Sequence, residues 1–129
     1  MPGDLSKNFS RIEFACQGTD CCGGTAAVDS RLIAALQEFR DKVDQPVHVT
    51  SGFRCLRHNR TVGSTDSSQH PRGYAADISI LPDETVDEMA EIAEEIEAFR
   101  LGGIGKYDFF VHLDVRTDGP ARWDERDTD

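Results

Sequence analysis

Apolar residues recur along this chain in two rhythms, and the points where one gives way to the other divide it into elements. Val28, Leu32, Leu36 (with Ala35), Phe39 and Val43 step by three and four, the period of a helix with one buried stripe. Asp29 or Ser30 can accept hydrogen bonds from the free amides at its start, and Pro46 ends the segment. Val47-His48-Val49-Thr50-Ser51 is β-branched and alternating, which predicts a short strand in which His48 packs or hydrogen-bonds. Cys55 to Val62 reads as a short helical turn and Gly63 to Gln69 as a polar loop. Ala75 to Ile80 is the next strand. Pro82 and Asp83 open a second helix whose stripe is Val86, Met89, Ile92, Ala93, Ile96 and Phe99. Gly102, Gly103 and Gly105 predict a flexible turn, and Phe109 to Val115 the last clear strand. Strands and helices do not alternate strictly, so the fold class expected is α+β: one domain, with a mainly antiparallel sheet flanked by helices.

Length and charge narrow the picture. The 129 residues suit a single domain with a core over about residues 10–124 and loose polar ends. Fourteen basic residues face 24 acidic ones, a formal net charge of −10. That balance argues against nucleic-acid partners and gives no attraction to an anionic membrane or wall. Glu84, Asp87, Glu88, Glu91, Glu94, Glu95 and Glu97 crowd the second helix and read as a solvated face. No apolar run approaches the roughly 20 residues of a membrane span. Met1 to Arg11 has Lys7 and Arg11 but no apolar stretch behind them, so the expectation is cytoplasmic synthesis without a standard secretory signal. A monomer is expected.

Four cysteines, Cys16, Cys21, Cys22 and Cys55, allow two disulfides, but the missing signal favours thiols. They could also hold a structural zinc, for which the Cys-x4-Cys-Cys spacing is irregular. The reading adopted is a plain structural role, as small buried groups or one bridge to Cys55.

Two clusters carry the chemistry. In Ser68-Gln69-His70-Pro71-Arg72-Gly73-Tyr74-Ala75-Ala76-Asp77 an imidazole sits in a loop and a carboxylate six residues later in an apolar strand. A carboxylate between Ala76 and Ile78 needs a cation, and a metal would serve. Gly73 allows the turn that lets the two side chains converge. In Val111-His112-Leu113-Asp114-Val115-Arg116, strand alternation puts Val111, Leu113 and Val115 on one side and His112, Asp114 and Arg116 on the other. Salt-bridged polar edges show the same alternation, but here a second histidine–carboxylate pair lies elsewhere in the chain. Two histidines and one carboxylate make a catalytic zinc shell with a fourth position for water.

The first cluster fits Ser-x-His-x-x-Gly-x-Ala-x-Asp through Ser68, His70, Gly73, Ala75 and Asp77. It resembles the signature of the zinc D-alanyl-D-alanine carboxypeptidases and related peptidoglycan endopeptidases, phage endolysins included, whose fold is shared with the hedgehog signalling domain. Thr50-Ser51-Gly52-Phe53-Arg54-Cys55, His58-Asn59, Phe110 to Arg116 and Ala121-Arg122-Trp123 extend the resemblance over most of Cys16 to Trp123. It implies zinc ligands His70, Asp77 and His112, an Arg54 that steadies the substrate carbonyl, and a peptidoglycan peptide as substrate. The site of action is left open at this point, the cell wall after release, as for a phage or prophage product, being one option. On sequence alone Arg54 could equally form a surface salt bridge. Many relatives carry the general base three residues before the last histidine, where this chain has Phe109. Asp114 is the candidate base and Asp108 the reserve. Arg116 is expected to bind a substrate carboxylate or to pair with Asp114. His58 is expected to hold its loop, and Trp123 to cover the core edge. A zinc-containing binding module without catalysis is the alternative function.

Overall fold

The helix expected after Asp29 forms as α1, Ser30–Val43, with the Asp29 carboxylate accepting the Arg31 amide at 2.8 Å. Its stripe, Leu32, Ile33, Ala35, Leu36 and Phe39, is buried. A computed structural model describes residues 3–18, 22–24, 27–65 and 68–126; Met1, Cys21 and the last residues of the expected loose tail lie outside them. Strand β1 is shorter than predicted, Val49–Ser51. His48 gives its carbonyl to the Ser79 amide at 3.1 Å while its side chain is exposed, so it hydrogen-bonds through backbone only. Helix α2 spans Leu56–Thr61, a 3-10 turn spans His70–Arg72, and β2 spans Ala75–Ser79.

The second predicted helix divides in two. Helix α3 runs Val86–Glu94 and α4 runs Glu97–Arg100. Thr85 and Glu88 cap α3 reciprocally at 3.1 and 3.0 Å, which starts it later than Pro82 and Asp83. At Ile96 the backbone is extended, and this step buries both Ile96 and Phe99. The acidic residues of the pair stay exposed apart from half-buried Glu84. Glu94 takes the Arg122 guanidinium at 2.6 and 3.0 Å. No helix among the described residues is long and apolar enough to cross a membrane.

The glycine-rich stretch is a strand, not a flexible turn. β3 is Gly103–Lys106, followed by β4, Phe110–Asp114, and β5, Ala121–Asp124. Among the described residues the sheet order is β1-β2-β4-β3-β5, antiparallel except where β3 meets β5. The glycines serve close approach: a Cβ on Gly103 would collide with the Asp114 carboxylate, and one on Gly105 with the Trp123 indole. The fold is thus one α+β domain. Helices α3 and α4 lie on β3 and β4, with α1 packed on both helices. Phe9 and Phe14 complete the core, so packing begins ahead of residue 10.

Gly103→Ala should therefore cost about 1–3 kcal/mol by forcing the Asp114 carboxylate aside. Urea unfolding checks this against Glu91→Ala on the exposed face of α3, which should stay within about 0.5 kcal/mol of the parent. Equal midpoints for the two variants would contradict the close-approach role.

Candidate metal centre

Strand register does much of the assembly. In the β2–β4 pair Asp77 stands directly opposite His112, and Ala75 opposite Asp114. Opposed residues share a face of the sheet, so a carboxylate and an imidazole from distant parts of the chain are pressed together. His70 arrives from the 3-10 turn, which Gly73 closes in the left-handed conformation at φ 76°. That reversal leads straight into β2.

His112 Nδ1 lies 3.0 Å and His70 Nε2 3.4 Å from the same oxygen, Asp77 Oδ1. One ligand atom from each residue lies within 4.8 Å of the other two, and all three residues are buried. The far nitrogens of both rings are engaged. His70 Nδ1 is 2.7 Å from the Gly52 carbonyl, and His112 Nε2 is 2.7 Å from Asp114 Oδ2. Both partners can only accept, so each ring carries a proton on that side and turns its other nitrogen towards Asp77. Two imidazole lone pairs and an anionic oxygen then face one another, an arrangement that calls for a cation or an extra proton. The donor set fits zinc, which takes two imidazoles and a carboxylate and keeps a fourth position. The backing of each imidazole by an acceptor is the usual support for a metal-bound histidine.

The charges follow this geometry. Burial pushes the Asp77 carboxyl up, but the hydrogen bonds to His112 and His70 outweigh it and hold the group well below the usual carboxylate range. Burial pushes His112 down, yet its bonds to Asp114 and Asp77 prevail and raise it. Asp114 is opposed by burial in the same way and kept low by His112 and Arg116.

Asp114 shares the side of His112, as strand alternation predicts, but sits behind the ring. Its Oδ1 accepts from the amides of Gly103 (2.9 Å) and Arg116 (3.1 Å) and from Arg116 Nε (2.9 Å). Its Oδ2 accepts from His112 and, at 2.7 Å, from the other arm of Arg116. Of the two roles expected for Arg116, the structure holds the ion pair with Asp114. Asp114 itself is fully buried.

A cleft of about 590 Å³ opens over the three presumed ligands, lined by Arg54, Gln69, Tyr107, Phe110, Arg116 and Trp123 among others. Arg54 forms no ion pair among the described residues, and its buried Nε has no hydrogen-bond partner. Burial lowers its pKa, opposed by the charge of Asp77. Asp108 and Phe109 stand exposed on the turn between β3 and β4. His58 donates its backbone amide to Cys55 Sγ at 3.5 Å in the first turn of α2. Sequence reasoning missed Tyr107 and placed Trp123 on the core edge. The Trp123 ring packs 5.0 Å from that of His112, and its Nε1 donates to the Tyr107 hydroxyl at 2.8 Å. Only the parallel β3–β5 pairing, setting Trp123 beside Gly105, reveals this, and neither residue carries a sequence signal for it.

Residues 7–114 match the family model described as Peptidase M15. No curated protein matches the chain.

The metal-free protein should be most stable between about pH 4 and pH 6.5. Depressed Asp77 and Asp114 contribute stability that is present above the unfolded carboxylate value and lost as pH falls through their folded values. Raised His112 contributes stability that is complete below the unfolded imidazole value and lost as pH rises through its folded value. Zinc needs the neutral ring and should move the optimum upwards. Thermal melts in chelator and in zinc across this range test the point. Equal melting temperatures at pH 5 and pH 8 in chelator would refute the shared-proton geometry.

Proposed function

The chain belongs to the Peptidase M15 family, metallopeptidases by that membership, and from this premise we propose that it is a zinc enzyme hydrolysing amide bonds in peptidoglycan peptides. The bonds meant are those cut by D-alanyl-D-alanine carboxypeptidases or by the related endopeptidases. One observation carries the reading: His112 Nδ1 and His70 Nε2 converge on one Asp77 oxygen, at 3.0 and 3.4 Å, while acceptors occupy the other sides of both rings. Zinc held by His70, Asp77 and His112 supplies a Lewis acid that activates water near neutral pH and polarises an amide carbonyl.

The chain's own residues do the rest. Arg54, half-buried in the cleft with no ion pair among the described residues, meets the carbonyl oxygen of the scissile amide and the negative charge that develops on it. Asp114, its oxygens taken up by five donors, positions His112 instead of serving as the base. Asp108 is the reserve candidate for the base, on the exposed turn between β3 and β4 that follows the cleft-lining Tyr107. Tyr107 and Trp123, joined by a hydrogen bond, form the aromatic wall against which a stem peptide lies.

A second reading, a zinc-holding module that binds peptides without cutting them, draws on a separate observation. Among the described residues Asp77 is the one carboxylate lining the cleft, and Phe109 stands where many relatives carry the base.

Zinc-loaded protein incubated with defined muropeptides should release new amino groups, and chelator should stop it. His70→Ala should lose both zinc and turnover. Arg54→Ala should keep zinc and lose about 10²–10³-fold in kcat. Asp114→Asn should lower zinc affinity about 10–100-fold, with turnover recovering in excess zinc. Fully loaded protein that binds muropeptides and releases no amine would establish the second reading.

A further inference from the structure

Three cysteine sulfurs meet beside the loop that carries Gly52 and Arg54. Cys16 is buried, Cys22 and Cys55 are half-buried, and their sulfurs all lie within 4.8 Å of one another. No disulfide joins Cys16, Cys22 and Cys55 to one another, so the bridge to Cys55 considered from sequence is not formed. The Cys16 and Cys55 sulfurs stand 3.8 Å apart, far beyond the ~2.05 Å of a disulfide bond. The Cys16 thiol donates to Cys55 Sγ at this distance, and two thiolates on one tetrahedral zinc need the same spacing, since Zn–S bonds of about 2.3 Å place their sulfurs about 3.8 Å apart.

We propose that Cys16, Cys22 and Cys55 form a second metal centre, a structural zinc site separate from the His70–Asp77–His112 cluster. Thiolates are soft ligands and select zinc over the hard cations that oxygen ligands favour. On binding, the three S–H groups release their protons to solvent and three Zn–S bonds form, with no electron transferred. The three sulfurs supply three of the four positions of a tetrahedral thiolate site.

The site ties the N-terminal segment to the catalytic loop. Cys16 follows Phe14, whose carbonyl accepts the Phe53 amide at 2.8 Å, and Gln17 donates to the Thr50 carbonyl at 2.8 Å. Cys55 caps α2 and directly follows Arg54. Metal at the three sulfurs therefore clamps both flanks of the segment whose Gly52 carbonyl holds His70. The irregular Cys-x4-Cys-Cys spacing hides the site in the sequence, because its third described ligand comes from Cys55, 33 residues after Cys22.

The test is independent of peptidase activity. A His70→Ala/His112→Ala protein, kept reduced, is titrated with Co2+ in place of zinc. It should take up one cobalt per chain with intense sulfur-to-cobalt charge-transfer absorption, and zinc should displace it. Cys16→Ser or Cys55→Ser added to that background should weaken binding at least tenfold. In the unaltered chain, where folding is not in question, zinc should slow alkylation of Cys16, Cys22 and Cys55 together. Absence of the thiolate band, or alkylation of all three at the same rate with and without zinc, would overturn the proposal.

Discussion

A buried carboxylate that faces two imidazole nitrogens needs positive charge between them, and this fold is organised round that requirement. Asp77 lies in a strand beside Ala75, Ala76 and Ile78, all buried and apolar. Only a small part of it reaches the cleft, so most of the cost of its charge is met by His70 and His112 and by whatever proton or cation they share. The β2–β4 register fixes one imidazole against it, and the turn closed by Gly73 brings the other.

Support for those rings reaches outwards through the fold. Gly52 holds His70 through its carbonyl, and Asp114 holds His112 through its carboxylate. Asp114 is in turn gripped by Arg116 and by the amide of Gly103. The parallel strand β5 then lays Trp123 against His112, in the space a side chain at Gly105 would fill. Residues outside the ligand set thus decide where the ligand nitrogens point. Rigid backing of this kind is what a metal site needs to hold its geometry.

Much of this was legible in the chain. Helix α1 is readable because its stripe keeps the 3.6 period and its cap is a short acidic side chain. His70, Asp77 and His112 are readable because a histidine and carboxylate at fixed spacing recur in a family signature. What was hidden depends on partners distant in sequence. Gly103 and Gly105 read locally as breakers, since their role is to admit Asp114 and Trp123 from other strands. The split between α3 and α4 arises because Ile96 turns into the core, which a continuous apolar stripe does not disclose. Strand alternation gave the side on which Asp114 lies, but its bonding to Arg116 and Gly103 required the folded sheet.

Anomalous diffraction at the zinc edge from crystals grown with the metal addresses the central claim most directly. The account predicts a peak about 2.0–2.2 Å from His70 Nε2, His112 Nδ1 and an Asp77 carboxylate oxygen at once. A zinc-saturated crystal with no density among those three atoms, or with the two imidazoles swung apart, would contradict it.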